Sequence, residues 1–355
     1  MKRITLLASS RLIALLIGVC LGHNAWCQSG PAQPATKEAA LRTVLQQAIV
    51  PAYQDLAAKC HDLTEALASI DQASATGNLE PAQKAWVAAL LAARRVQWFQ
   101  SGPIADREYL SSFYYSKVLP QRMDAVLNSS RAIDESFVAE FGPNAKGLFA
   151  LEYLLFQKDP KKAEPVPRRI QYALLLARDL EKKAGQVAQD WGAAGDQGTA
   201  AKFLAGGQQS LSLVVNHLAQ SLEQTGERIN FVLVLPQPIA RQLDRIEDSR
   251  SATTQQSVLA LLQAASTVYH GTNGAGLEEY LRHLNASLAA RLNAQFESAL
   301  SGVQAIGGPL EQAAVDKRPL LQAAYEKTHA LEILFKVDVA SALGVTLTFS
   351  SNDGD

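Results

Sequence analysis

The segment 147–156 reads GLFALEYLLF and holds a single charge, Glu152. On a helix, residues three and four positions away share its face, and here these are Leu148, Phe149, Leu155 and Phe156. A carboxylate left unpaired in such surroundings is costly and shifts its pKa instead. Two kinds of role are open to it. It can be aimed into a bundle or interface as a metal ligand or ligand contact. Or it is a buried structural group, capped by backbone donors or paired with an arginine, with Arg94, Arg95 and Arg250 as candidates.

Other residues offer weaker chemistry. His329 and Glu332 stand at i and i+3, so one helix turn can present both to a cation, although a solvated pair near a helix end has the same spacing. His61, His217, His270 and His283 stand singly and read as surface or boundary residues. The polar run IEDSRSATTQQS (246–257) lies between apolar segments, where Ser251 or Thr253 can cap the next helix with Gln255 or Gln256 reaching back. The chain ends in Asp353, Gly354, Asp355 and a carboxylate, either a solvated tail or a set of oxygens for a hard cation. No His-Glu-x-x-His, Gly-x-Ser-x-Gly, phosphate-binding Gly-rich loop or Cys-x-x-Cys is present, which disfavours the common zinc peptidase, serine hydrolase, nucleotide and dithiol chemistries.

The elements that must position these residues are helical. Apolar residues recur at three and four positions through Val44–Ile70, with Pro51 expected to kink the run. They recur again through Leu176–Trp191, Phe203–Leu222, Leu277–Leu300 and Leu321–Phe335. Long amphipathic helices bury such stripes best as bundles. The expected fold class is all-α, two helical-bundle domains, with at most one short β pairing between 231–235 and 345–349. The Pro-rich DPKKAEPVP (159–167) is the favoured boundary, giving bundles over 36–160 and 161–355, with LPQP (235–238) competing. FALEYL (149–154) and HALEIL (329–334) echo one another, by internal duplication or by chance.

Lys2, Arg3 and Arg11 precede an apolar run from Leu12 to Leu21, about half of what a bilayer core needs, so residues 1–27 read as a secretory signal peptide with cleavage after Cys27. Val19 before Cys20 and Trp26 before Cys27 disfavour lipoprotein anchoring. Residues 28–35, QSGPAQPA, read as a disordered leader. Cleavage takes three positive charges from a net of -1, leaving about -4, a balance that favours neither nucleic acid nor anionic membranes. Only Cys60 remains, so no internal disulfide is available and stability must come from the core. The reading is of an exported protein whose mature chain has no transmembrane segment.

In order along the chain, AWVAALLAARRVQWFQSGPI (85–104), GLFALEYLLF, IEDSRSATTQQSVLALLQAASTVYHG (246–271) and LGVTLTFSSNDGD (343–355) resemble the imelysin-like family of exported bacterial proteins. The resemblance implies paired helical bundles with a site in the cleft between them, and a periplasmic role linked to iron uptake. The ligand would be iron, another divalent cation or an iron carrier, with a periplasmic or outer-membrane protein as partner. It also implies an alternative, a metallopeptidase of the insulin-cleaving type; a third reading is a helical interaction scaffold without a small ligand. The family motif Gly-x-His-x-x-Glu falls on Gly147 and Glu152, with Phe149 where the histidine belongs. Phe149 has no lone pair, so an imidazole ligand or base cannot act there. A second motif, Glu-x-Trp-Arg-Ser, is matched approximately by Glu247, Arg250 and Ser251, with Ser249 replacing tryptophan. These departures suggest altered or weakened ligand binding. By resemblance, Gly147, Glu152, Glu247, Arg250, Ser251, Asp353 and Asp355 are the expected binding residues, with Glu152 polar-paired and a non-enzymatic binding role the leading expectation.

Overall fold

Nine consecutive residues, Gly147–Leu155, form a helix in which every residue is buried. A helix that is apolar all round belongs inside a protein, and the rest of the chain supplies the walls around it. The computed structural model describes residues 35–70, 78–157, 167–193, 195–196, 198–272 and 276–348. The segments expected as signal peptide (1–27) and, nearly all of it, as leader (28–35), most of the Pro-rich segment and the terminus with Asp353 and Asp355 lie outside these.

The longer helices are α1 (Val50–Ala68), α2 (Glu80–Val96), α3 (Gly147–Leu155), α4 (Pro167–Gly192), α5 (Gln208–Val234), α6 (Thr254–His270), α7 (Ala286–Ile306) and α8 (Arg318–Leu334). In one ring α1 packs on α2 and α4, and α3 closes the circuit against both. In the other, α5 packs on α6 and α8, and α7 touches the same two. Helices α2 and α6 pack on each other, and a single hydrophobic cluster runs through both rings. Residues 35–355 form one compact unit. Helix α4, which follows the Pro-rich segment, packs back on α1 and α3.

Local sequence explains the ends. Helix α2 starts with Glu80 and Pro81 and finishes with Arg94 and Arg95, the charge order that suits the helix dipole. Its buried stripe of Ala82, Ala89, Leu90 and Ala93 surrounds Trp86, whose Nε1 donates to the Leu148 carbonyl at 2.8 Å and ties α2 to α3. Pro51 does not break its helix. The turn before it, Val44–Ile49, is a π-helix, which absorbs the hydrogen bond that proline cannot donate.

The chain is all-α, and among the described residues there is no strand. The β pairing considered for 231–235 and 345–349 is not formed. Residues 231–234 are the last turn of α5, with Val232 and Leu233 facing the core and Phe231 and Val234 facing outward. Residues 345–348 are irregular and pinned by Asn216, whose Oδ1 accepts from Thr348 N at 2.7 Å.

Gly147 opens α3 with φ +82°, and a Cβ there would overlap the Ser112 carbonyl oxygen. Both the left-handed conformation and the close approach require glycine. Gly147→Ala is expected to lower stability by more than about 1 kcal/mol, read as a shift in the urea midpoint at unchanged m-value.

Candidate functional site

Between α5 and α6 the chain leaves regular structure, passing through short 3-10 turns at Ile239–Arg241 and Leu243–Arg245. Asp248 and Ala252 then take left-handed φ values of 63° and 57°. Aspartate tolerates this region; alanine does so at a steric cost. The segment faces α3, and together with α5 and the chain around Tyr114–Pro120 it encloses a cavity of about 1150 Å³. Glu152, Glu247, Asp248, Ser249 and Arg250 all line it.

The anchor of this wall is Arg94, at the end of α2 and 1% exposed. Its Nη2 donates to both Asp248 oxygens at 2.9 Å and to Glu247 Oε2 at 3.1 Å, while Nη1 donates to Gln97 Oε1 at 2.8 Å. Burial alone would lower the Arg94 pKa, but Asp248 and Glu247 more than reverse this, so the guanidinium stays charged. Glu247 also accepts from Arg228 of α5 and from Ser116 Oγ at 2.7 Å. Burial pushes Glu247 upward, yet Arg228 and Arg94 outweigh it and hold its pKa at about 2.

Among the described residues no arginine hydrogen-bonds Glu152, although Arg250 acts on it through space. Its Oε1 accepts from Ser251 N at 3.0 Å and Ser251 Oγ at 2.7 Å. The three arginine candidates are engaged elsewhere: Arg94 as above, Arg95 with Asp55 at 3.2 Å, and Arg250 with Asp244. Burial first, then the nearby Asp248, push the Glu152 pKa up to about 7, against the two Ser251 bonds and Arg250. The carboxyl therefore titrates near neutrality, held by neutral donors rather than by a charge.

The expected capping of α6 is not formed. Thr253 at the N-cap makes no side-chain capping bond, because Ser251 Oγ serves Glu152 and Thr253 Oγ1 lies 2.8 Å from Ser251 Oγ. Gln255 is drawn instead to the far end of α7, donating to the Val303 carbonyl at 2.7 Å and accepting from Gly308 N at 2.9 Å.

Of the expected site residues, Glu152, Glu247 and Arg250 line the cavity, and Ser251 reaches it through Glu152. Gly147 acts on the backbone, away from the lining. His329 and Glu332 lie outside it too. His329 Nδ1 is 3.0 Å from Glu332 Oε2, and Lys336 Nζ holds the other Glu332 oxygen at 2.9 Å. Among the described residues, no three His, Cys, Asp or Glu side chains are grouped to hold a metal ion. The single histidines have local partners: His61 with Glu181, His217 with Ser101 and His270 with Glu278, at 2.7, 2.6 and 2.7 Å, while His283 is exposed. Phe149 lies under the Arg94 guanidinium, 5.3 Å from ring centroid to Cζ.

Sequence reasoning missed Asp248, Arg228 and the role of Arg94. For Arg94 a signal existed, since Trp86, Leu90 and Arg94 are spaced by four and share the buried face of α2. Asp248 lies in irregular chain, where no periodicity reports burial.

An all-helical chain of two joined rings, with a cavity whose wall includes the irregular segment between α5 and α6, defines the class. The imelysin family matches residues 49–334, and the chain belongs to that family. It is 27% identical over 298 residues to "Iron-regulated protein A" of Synechococcus elongatus, covering 79% of each chain. In fold it is similar to the crystal structure of an iron-regulated protein A precursor from Parabacteroides distasonis, with a TM-score of 0.74, 18% identity and coverage of 89% of this chain and 97% of that one. An imelysin-like protein from Psychrobacter arcticum gives a TM-score of 0.71 at 16% identity, covering 90% and 99%.

Two outcomes follow from the charges. Arg94→Leu takes the arginine from the buried Asp248, while Glu247 keeps Arg228 and Ser116, and is expected to cost roughly 3 to 5 kcal/mol in urea unfolding. Between pH 4.5 and about 7 the folded protein keeps the Glu152 proton that the unfolded chain has released. Stability therefore falls as pH rises through that window, by about 3 kcal/mol in all. Glu247 acts in the opposite sense, its contribution being lost as pH falls from 4.5 towards 2. Glu152→Gln keeps an oxygen for Ser251 and should remove the loss between pH 4.5 and 7. A variant that keeps the wild-type slope would place the titration elsewhere.

Proposed function

We propose that the protein is exported to the periplasm and serves as a non-enzymatic binding component of iron acquisition, its ligand held in the cavity around Glu152. The observation that carries this is convergence. Glu152 of α3 and the 247–251 segment, joined by a hydrogen bond between residues 99 positions apart, wall one cavity of about 1150 Å³. That is the size of a pocket for a small organic molecule rather than for one ion. The relationship to a protein named as iron-regulated supports the iron assignment. No helix among the described residues is long and apolar enough to cross a membrane.

Peptide hydrolysis fits the site less well. Phe149 stands at the motif histidine, and the acids Glu247 and Asp248 are already bound to arginines. A carboxylate held by guanidinium groups is a poor base and a reluctant metal ligand. The polar rim and the Glu152 carboxyl instead suit recognition.

The reading is tested by radioactive iron accumulation in the source bacterium under iron limitation. Deleting the gene should lower accumulation, the wild-type gene should restore it, and Glu152→Ala should restore it only in part while the variant still reaches the periplasmic fraction. Undiminished accumulation in the deletion strain would remove the iron role.

A further inference from the structure

Three guanidinium groups stand over three aromatic rings that line the cavity. Arg94 lies 5.3 Å from the Phe149 centroid, Arg250 5.1 Å from that of Tyr153, and Arg245 5.7 Å from that of Phe231. The first two stacks belong to the wall itself, since Phe149 and Tyr153 are buried and their arginines are bound to Asp248 and Asp244. The third is open. Phe231 is 37% exposed, Arg245 is exposed, and the Arg245 guanidinium hydrogen-bonds only the neutral Gln242 Oε1, at 3.0 Å, among the described residues. Lys117 also lines the cavity, exposed and with no ion-pair partner among the described residues.

The anions of the wall are in a different state. Glu247, Asp248 and Asp244 are each paired with arginine. Glu152 has one oxygen taken by Ser251, while the other has no donor among the described residues and can accept one from a ligand. Glu227 lines the cavity too and is engaged within the protein. A bare cation thus finds one open carboxylate oxygen, that of Glu152, whereas an anion finds two cations, Arg245 and Lys117, outside any ion pair among the described residues. A flat π face over a guanidinium–phenyl pair gains stacking as well as charge.

We propose that the cavity binds a planar aromatic oxyanion, an aryl carboxylate or catecholate that can chelate ferric ion, stacked at Phe231 and Arg245 and neutralised by Arg245 and Lys117. This deepens the iron reading and rests on it for the link to chelation. A ring hydroxyl would donate to Glu152, which faces the same space.

Fluorescence or calorimetric titration of the mature protein tests this with four probes: 2,3-dihydroxybenzoate, its ferric complex, citrate, and ferrous ion alone under anaerobic conditions. The aromatic acid should bind, and citrate, with charge but no ring, should bind at least about tenfold more weakly. Phe231→Ala and Arg245→Gln should each weaken the aromatic acid about fivefold or more, with unchanged circular dichroism and melting temperature. Lys59→Ala, on the remote α1, serves as the control and should change nothing. Equal binding of citrate and the aromatic acid, or indifference to both cavity substitutions, overturns the proposal. Binding of ferrous ion with neither acid bound also overturns it but leaves the iron reading standing. Binding of the free acid with rejection of its ferric complex upholds the aromatic oxyanion and removes the link to iron.

Discussion

The structure depends on one buried cation. Arg94 is fully enclosed at the end of α2, and it is tolerable there only because two carboxylates from the far side of the chain come to meet it. The converse holds for Asp248, 1% exposed in a left-handed turn that offers no helix dipole or backbone ladder to replace a counter-ion. Each charge is the condition for burying the other. Because α2 belongs to one ring and the 235–253 segment joins two helices of the other, this ion pair fixes how the wall sits on the bundle, and Glu247 with Arg228 extends it into α5.

The substitution of Phe149 for the motif histidine makes physical sense beside this cation. Position 149 lies directly under the Arg94 guanidinium, so a phenyl ring there gains from the positive charge while a protonated imidazole would be repelled by it. Phe149 thus suits a site organised around a buried arginine, and Glu152 one turn on takes a hydroxyl and an amide from Ser251.

The helical class and most of the buried stripes were legible because each long helix repeats its apolar residues at three and four positions, a signal that survives without tertiary information. Phe231–Leu235 misled because its five residues are all apolar and two are β-branched, so a short apolar helix end resembles a strand. The capping of α6 misled for another reason: Ser251 stands two residues before the N-cap with its hydroxyl turned to a carboxylate from α3, and that partner is visible only once the chain is folded. Glu152 was identifiable as paired, since an apolar helix leaves a carboxylate no solvent, but the identity of its partner depends on a turn with no periodicity of its own.

The Arg94 to Asp248 contact joins residues 154 positions apart, and the Glu152 to Ser251 contact joins residues separated by 99. Neither can form until α5 has been laid down and packed, because the wall has no regular hydrogen-bond ladder with which to stand alone. Contacts that close such long stretches of chain carry their entropy cost before they return any stability. The cavity wall is therefore held by contacts of high sequence separation, and it stands only where the two rings are packed on each other. A partly folded chain can have native helix content and still lack the pocket altogether.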